Sequence, residues 1–242
     1  MYKIEYVGST DMGKVRSNNE DAFLIDADSQ YCLVADGMGG AAAGEMASQI
    51  FAETAAEVLK RSGVFSEQAL VDSIQSVFLQ ANDRILEHVE QYPEHKGMGC
   101  TAELLAFTST GFVLGHMGDS RTYRLRDAHL KQLTKDHSLV QEQIDQGLIT
   151  LEQARTHRMR NIILRAVGVR PSPVLDTLRG PIFPGDLFLM CSDGLTDLVT
   201  DDEILEIIKT GSTLLSKAKQ LIELANLVGG KDNVTVVLAE VA

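Results

Sequence analysis

Residues 101–133, TAELLAFTSTGFVLGHMGDSRTYRLRDAHLKQL, contain the pattern that decides the fold. Apolar, β-branched and aromatic residues form four short runs, and this composition predicts strands. Turn-like links as short as residues 108–111 separate the runs, and links of that length join antiparallel neighbours. The predicted strands are residues 101–107, 112–117, 122–126 and 130–133.

Helices are predicted in pairs on either side of this group. Residues 47–59 and 70–89 carry one-sided apolar stripes, and the first of these helices should stop near Gly63. Residues 204–208 and 214–227 form the second pair. The boundary signals are Ser66, Pro93, a capping box of Thr200 and Glu203, and Gly229–Gly230.

Strands that occur in runs, with paired helices between them, favour an α+β fold with largely antiparallel sheets over a regularly alternating α/β fold. Residues 136–168 interrupt the pattern with short helical pieces at 139–146 and 151–157, which we interpret as an inserted flap. The 242 residues, 44% of them hydrophobic, suit a single domain over residues 1–242. Further strands are predicted at 4–7, 22–25 and 31–35, near 174 and 187, and at 234–241.

The formal net charge of −12 makes nucleic acid and anionic membranes unfavourable partners. No run of 18 apolar residues occurs in the sequence. The three cysteines, Cys32, Cys100 and Cys191, lie in apolar runs without ligand-like spacing, so we expect them to be buried and reduced. A cytoplasmic protein is therefore expected and, without a heptad repeat, a monomer.

Four aspartates stand where strand-like apolar runs meet a turn: Asp36, Asp119, Asp193 and Asp232. An Asp-Gly pair taken alone is most often a hairpin turn. However, burying an unpaired carboxylate is costly, so four such positions together imply a bound cation. Because no histidine or cysteine accompanies them at ligand spacing, the expected ion is Mg²⁺ or Mn²⁺.

Two neighbouring segments would complete such a site. The glycines after Asp36 permit the Gly37 carbonyl to face the same ion, and Asp36 is the candidate bridge between two ions about 4 Å apart. In the polar loop of residues 16–21, Arg16 offers a planar fork to phosphate oxygens, and Asp21 a hydrogen bond to metal-bound water. Taken alone, such a segment is more often a polar surface loop with a solvated arginine.

Six motifs in order carry a family resemblance: RSNNED (16–21), DGMGG (36–40), GMGCTA (97–102), GDSR (118–121), SDGL (192–195) and GKDNVT (230–235). Together they resemble the metal-dependent serine/threonine protein phosphatases of the PPM (type 2C) family, most of all its compact bacterial branch. The resemblance covers essentially the whole chain.

The resemblance implies a central sandwich of two antiparallel β-sheets with helices on both outer faces, in α-β-β-α layers. It also implies a centre of two Mn²⁺ or Mg²⁺ ions, with a weaker third ion in bacterial relatives. By position, the implied residues are the carboxylate ligands Asp36, Asp193 and Asp232, the Gly37 carbonyl, Asp119 at the third ion, Arg16 on the phosphate, and Glu20, Asp21 and Thr101 beside the centre.

Two departures from the family pattern concern proton donation. Many eukaryotic relatives have a histidine at the position of Met38, and bacterial relatives often have one at the position of Ala41. A thioether and a methyl group cannot donate a proton to a leaving alkoxide. We therefore expect an active enzyme whose general acid is not a side chain at either position.

Residues 155–170 carry five arginines and a histidine without any acidic residue. This stretch is either a solvated face paired with acidic neighbours or a flap surface that docks a phosphopeptide.

The leading hypothesis is a phosphoserine/phosphothreonine protein phosphatase that acts on the substrates of a serine/threonine kinase. It would hydrolyse the monoester by direct attack of metal-activated water. The alternatives are a non-catalytic metal-binding module that recognises phosphoproteins, and an enzyme for phosphorylated metabolites or phosphotyrosine.

Overall fold

The computed structural model describes residues 2–39, 43–60 and 66–242. Its centre is a pair of antiparallel sheets. The first sheet has the order β1-β11-β10-β7-β8, with β1 (Ile4–Asp11), β7 (Arg121–Arg126), β8 (His129–Gln132), β10 (Leu187–Cys191) and β11 (Val234–Val241). The second has the order β2-β3-β5-β6-β9, with β2 (Asp21–Asp26), β3 (Tyr31–Met38), β5 (Ala102–Phe107), β6 (Gly111–Met117) and β9 (Asp176–Pro181), and β4 (Gly99–Cys100) pairs with the end of β3.

Helices cover both outer faces of this sandwich. Helices α1 (Ala43–Leu59) and α2 (Glu67–Gln91) pack on the second sheet, through β3 and β6. On the other side, α6 (Asp201–Ile208) and α7 (Leu214–Val228) pack on the first sheet, through β8 and through β1 and β11. The predicted layer order is therefore present in the described residues.

Alternation along β3 shows how the layers are held together. Tyr31, Leu33 and Ala35 pack under α1 and α2, while Cys32 and Val34 lie between the two sheets. A strand buried on both faces needs apolar residues at every position, which explains the continuous run at 31–35. The predicted burial of the three cysteines is confirmed.

Helix boundaries follow the predicted caps. Ser66 caps α2 by accepting a hydrogen bond from the Ala69 backbone, and the Thr200–Glu203 capping box at α6 is complete. The predicted stop near Gly63 lies outside the described residues. Between β8 and β9, the structure contains the two short helices predicted for the flap, α3 (Leu139–Asp145) and α4 (Leu151–Arg155). None of the described helices combines the length and the apolar character that a bilayer crossing requires.

Some elements extend or change what the pattern predicts. The first strand was expected at 4–7 but continues to Asp11, because each of its residues pairs with β11. After β10, Asp193 does not end a strand in a hairpin turn; it begins a one-turn helix, α5 (Asp193–Thr196). Pairing between distant segments decided the first difference, since residues 8–11 have no strand-like pattern of their own.

Candidate active site

One end of the sandwich collects the predicted site residues. Asp36 is near the end of β3, Asp193 follows β10, and Asp232 precedes β11, which pairs with β10. A cavity of about 430 Å³ opens there. Its lining includes Arg16, Glu20, Asp36, Gly37, Thr101, Asp193 and Asp232.

Asp119 lies in an adjacent cavity rather than in this one. That cavity, between the core and the flap helices, is lined by Asp119 and Asp193 together with Arg155, Arg160 and Asp197. Asp193 therefore belongs to both cavities. The Asp119 side chain is buried, and its Oδ1 has no hydrogen-bond partner among the described residues.

The carboxylates of the main cavity repel one another. Burial raises the pKa of Asp36 well above its usual value, and the charges of the surrounding aspartates raise it further. Burial likewise raises the pKa of Asp193, with Asp119 the largest of the neighbouring charges. Such a cluster is stable at neutral pH only if protons or cations reduce its charge.

Asp21 is opposite Asp36 in the pairing of β2 with β3, so the two side chains are neighbours on one sheet face. Its Oδ2 accepts hydrogen bonds from Ser192 Oγ at 2.8 Å and from Thr235 Oγ1 at 2.6 Å. Its Oδ1 is buried without a partner. Burial raises the pKa of Asp21 to about 6, although the two hydroxyl donors oppose this shift.

Arg16 contacts the cluster directly. Its Nη2 donates to Asp232 Oδ2 at 2.6 Å, and the other oxygen of Asp232 accepts from the Asn233 backbone. The hydrogen bond between Arg16 and the Asp232 carboxylate raises the pKa of Arg16. In this arrangement, no three acidic, histidine or cysteine side chains of the described residues could hold a metal ion by themselves, and Asp232 faces Arg16 instead.

The model of the family described as "Protein phosphatase 2C" matches residues 13–228 of the chain. This span contains every residue that lines the main cavity except Asp232. This chain belongs to the protein phosphatase 2C family. Its resemblance to that family, seen first in six motifs, is confirmed.

Named bacterial relatives in the family are similar over nearly the whole chain. The serine/threonine phosphatase stp of Listeria monocytogenes is 38% identical over 235 residues, 96% of this chain and 93% of that protein. The serine/threonine protein phosphatase PstP of Mycobacterium tuberculosis is 41% identical over 239 residues, 98% of this chain. The match covers 45% of PstP, so the chain spans less than half of that relative.

Solved structures of 2C-family phosphatases confirm the fold. The crystal structure of the Mycobacterium tuberculosis phosphatase PstP/Ppp superposes with a TM-score of 0.92 at 38% identity, covering 100% of this chain and 99% of that one. A PstP catalytic domain in complex with two manganese ions has the same TM-score and identity and covers 100% of both chains. Stp1 of Staphylococcus aureus has a TM-score of 0.92 at 31% identity, with 100% and 96% coverage.

The departure at Met38 is visible in this 2C-family site. Met38 is among the residues that line the main cavity, and no histidine of the described residues lines it. Ala41, the other departure, lies outside the described residues. Near the phosphate-binding candidate Arg16, the ionisable side chains of the cavity are therefore carboxylates and the arginine itself.

Two residues that received no role from the sequence prove to hold the site together. Asn233 accepts from the Glu20 backbone and donates to the backbone carbonyls of Met12 and Asn18, which ties the loop before β2 to β11. Ser120 Oγ is 2.7 Å from Thr101 Oγ1, whose oxygen also accepts from the Asp36 backbone. Both residues occur inside the quoted motifs, but nothing in the motifs shows their partners.

The basic stretch 155–170 has some paired charges and lies at the edge of the main cavity. Arg160 is 3.6 Å from Asp197, and Arg165 is 3.1 Å from Asp176, so some of its charges are paired. The stretch borders the main cavity, since Asn161 is part of its lining, and its docking of a phosphopeptide stays a prediction.

Proposed function

We propose that this chain is a metal-dependent phosphoserine/phosphothreonine protein phosphatase that hydrolyses phosphomonoesters by direct attack of water, without a covalent phosphoenzyme. One observation carries the proposal: Asp36, Asp193 and Asp232 line one cavity with Arg16, in a chain of the 2C family. The names of the bacterial relatives and the two manganese ions of the PstP domain support it.

The donor set fits a hard divalent cation. All candidate donors are oxygen atoms, the aspartates of the cavity repel one another, and Asp21 and Asp119 each have a buried oxygen without a partner. We propose that Asp36, Asp193, Asp232 and the Gly37 carbonyl hold two Mn²⁺ or Mg²⁺ ions, with Asp119 and Asp193 at a third. Water would complete the coordination shells, because the candidate protein ligands are few and Mg²⁺ typically keeps several waters.

When bound, the cations supply charge neutralisation at phosphorus and a lower pKa for water. The side chains of the protein would position the substrate phosphate and the attacking water. Arg16 is half exposed beside the cavity, where its guanidinium can exchange Asp232 for the oxygens of a substrate phosphate. Asp21 Oδ1 is free to accept a hydrogen bond from water, and Glu20 and Thr101 hold the backbone around Asp36 and Gly37 through main-chain and hydroxyl contacts.

The proposed activity also implies a class of substrate and of partner. We propose phosphorylated proteins made by a serine/threonine kinase as substrates, and a monomer that acts in the cytoplasm without nucleic acid or membrane. The net charge of −12 supports the last two exclusions.

The test is hydrolysis of a phosphothreonine peptide with and without Mn²⁺. Asp193→Ala and Asp36→Asn should each reduce turnover by orders of magnitude and weaken Mn²⁺ binding in calorimetry, because each removes a candidate ligand. Asp83→Asn, on the exposed surface of α2, is the matched control and should change neither.

Unchanged turnover in Asp193→Ala would reject the assignment. Manganese binding without turnover of any substrate would favour a non-catalytic phosphoprotein-binding module. Faster turnover of a small phosphorylated metabolite or a phosphotyrosine peptide than of the phosphothreonine peptide would keep the enzyme but change its substrate class.

A further inference from the structure

Exposed apolar side chains are concentrated beside the proposed phosphate-binding arginine. Val15, next to Arg16, is 68% exposed, and Leu227 at the end of α7 is 78% exposed. Met12 and Val228 are also exposed, on the same two segments. Two lysines belong to these segments as well. We call the set the lysine–apolar patch: Met12, Lys14, Val15, Leu227, Val228 and Lys231.

The two segments of the patch are fastened to each other. The Lys14 backbone donates to the Gly230 carbonyl at 2.7 Å, and Asn226 Nδ2 donates to Asp11 Oδ1 at 3.0 Å. Asn233 Nδ2 adds a hydrogen bond to the Met12 carbonyl at 3.0 Å. The apolar side chains of these two segments are therefore carried on backbones that are hydrogen-bonded to each other, and exposed apolar groups that lie together commonly mark contact surfaces.

The charges of the patch differ from those of the protein as a whole. Neither Lys14 nor Lys231 has a carboxylate within 4 Å among the described residues, whereas the whole chain has a net charge of −12. Asp11, the last residue of β1 before this loop, accepts from the Gly13 backbone and from Asn226. Two free ammonium groups among apolar side chains suit a ligand with both acidic and apolar residues.

The patch is continuous with the catalytic cavity, because Val15 lines that cavity together with Arg16. A polypeptide whose phosphate reaches Arg16 therefore passes next to Val15. Two of the flap arginines, Arg160 and Arg165, already pair with Asp197 and Asp176, which makes these two less available to such a ligand.

We infer that the lysine–apolar patch binds the segment of a substrate protein that flanks its phosphorylated residue, and that it selects segments with acidic and apolar side chains. This inference rests on the proposed phosphatase function. It makes the patch a determinant of substrate choice, separate from the groups that act on the phosphate.

The experiment compares three substrates with Mn²⁺ present: p-nitrophenyl phosphate, a phosphothreonine peptide with acidic and apolar flanks, and the same peptide with serine and glycine flanks. The patch variant is Lys14→Glu with Leu227→Gln. The matched control is Lys219→Glu with Leu215→Gln, which makes the same changes on exposed positions near the other end of α7.

The unmodified protein should prefer the acidic, apolar peptide. In the patch variant, kcat/KM for that peptide should fall roughly tenfold, since one charge contact is reversed and one apolar contact is lost. Turnover of p-nitrophenyl phosphate and of the neutral peptide should stay within about twofold, because the cavity itself is unchanged. The control variant should match the unmodified protein on all three substrates.

An equal loss on all three substrates, or no loss on any, would overturn the inference. A second measurement needs no variant: the preference of the unmodified protein for the acidic peptide should shrink at high salt, and a preference that persists unchanged would also contradict the charge argument. If the unmodified protein turns over none of the three substrates, the proposed function fails first, and the inference with it.

Discussion

At the scale of single residues, Asp21 shows how the site is prepared for charge. It pairs with Asp36 across two strands, and like charges in that position are unfavourable unless something compensates them. Hydroxyl donors from Ser192 and Thr235 hold one of its oxygens and leave the other buried without a partner. The orientation of Asp21 therefore depends on two neighbours, and we expect it to act as a positioning residue.

Replacing Thr235 tests this role. Thr235→Val removes the hydroxyl that donates to Asp21 at 2.6 Å but keeps the shape of the side chain. We expect kcat to fall by about tenfold, the range typical of groups that orient a metal-site carboxylate. Thr235→Ser restores the hydroxyl and should recover most of the activity, so an equal loss in both variants would indicate a packing effect instead.

At the scale of elements, the segment of residues 11–16 decides where Arg16 lies. Gly13 has a φ of +79°, and a Cβ added there would stand 2.3 Å from the Asp232 carbonyl oxygen and 2.9 Å from that of Gly230. The loop therefore passes too close to the start of β11 for any side chain at this position. The close approach keeps Arg16 within reach of Asp232.

Gly13→Ala should consequently lower both stability and turnover. Gly147→Ala is the control, because Gly147 has a similar φ of +70° but no atom within 4 Å of the added Cβ. We expect the control to lose about 1 kcal/mol of unfolding free energy from backbone strain. Gly13→Ala should lose more and show at least a roughly tenfold lower kcat/KM for phosphopeptide. Chemical denaturation and steady-state kinetics measure both, and similar behaviour of the two variants would contradict the loop argument.

At the scale of the whole molecule, a buried polar network joins the two sheets. Glu103 on β5 accepts from Thr122 Oγ1 on β7 of the other sheet, and its second carboxylate oxygen pairs with His116 Nδ1 on β6. His116 Nε2 lies 2.9 Å from the Lys135 carbonyl, so both ring nitrogens face oxygen atoms. Burial by itself lowers the pKa of His116, but the charge and hydrogen bond of Glu103 outweigh it and raise the pKa to about 9.

This network predicts a pH dependence of stability. A histidine with a folded pKa of about 9 and an unfolded pKa of about 6.5 stabilises the fold fully below about pH 6.5, and this contribution is lost as the pH rises towards 9. The loss should be on the order of 3 kcal/mol. Burial and the His116 charge lower the pKa of the adjacent His137 to about 4, so His137 stays neutral throughout this window.

Urea unfolding at several pH values between 6.5 and 9 measures the effect. His116→Leu should cost about 3–5 kcal/mol, since it leaves the Glu103 carboxylate buried without its charged partner. The Glu103→Leu, His116→Leu double variant should cost less and lose the pH dependence in this window. An unchanged dependence in the double variant would assign it to other groups.

Residue patterns predicted much of this molecule from particular positions. The apolar run at 31–35 predicted a strand, which the structure contains as part of β3, and Ser66, Thr200 and Glu203 predicted helix caps that are present. The order of six motifs predicted the family, which the comparisons confirm. The roles of the individual site residues stay predictions until the proposed variants are measured.

The sequence by itself determined most of the strands and helices, though not the extension of β1 or the helix α5, and it determined which residue types are available for chemistry. Periodicity, caps and turn residues act over a few neighbours, which is why they can be recognised locally. Tertiary structure alone decided that Asp193 serves two cavities, that Asn233 ties the Arg16 loop to β11, and that His116 and Glu103 face each other between the sheets. These contacts join positions far apart in the chain. Their partners are set by strand register and by the packing of one sheet on the other, which no local pattern encodes.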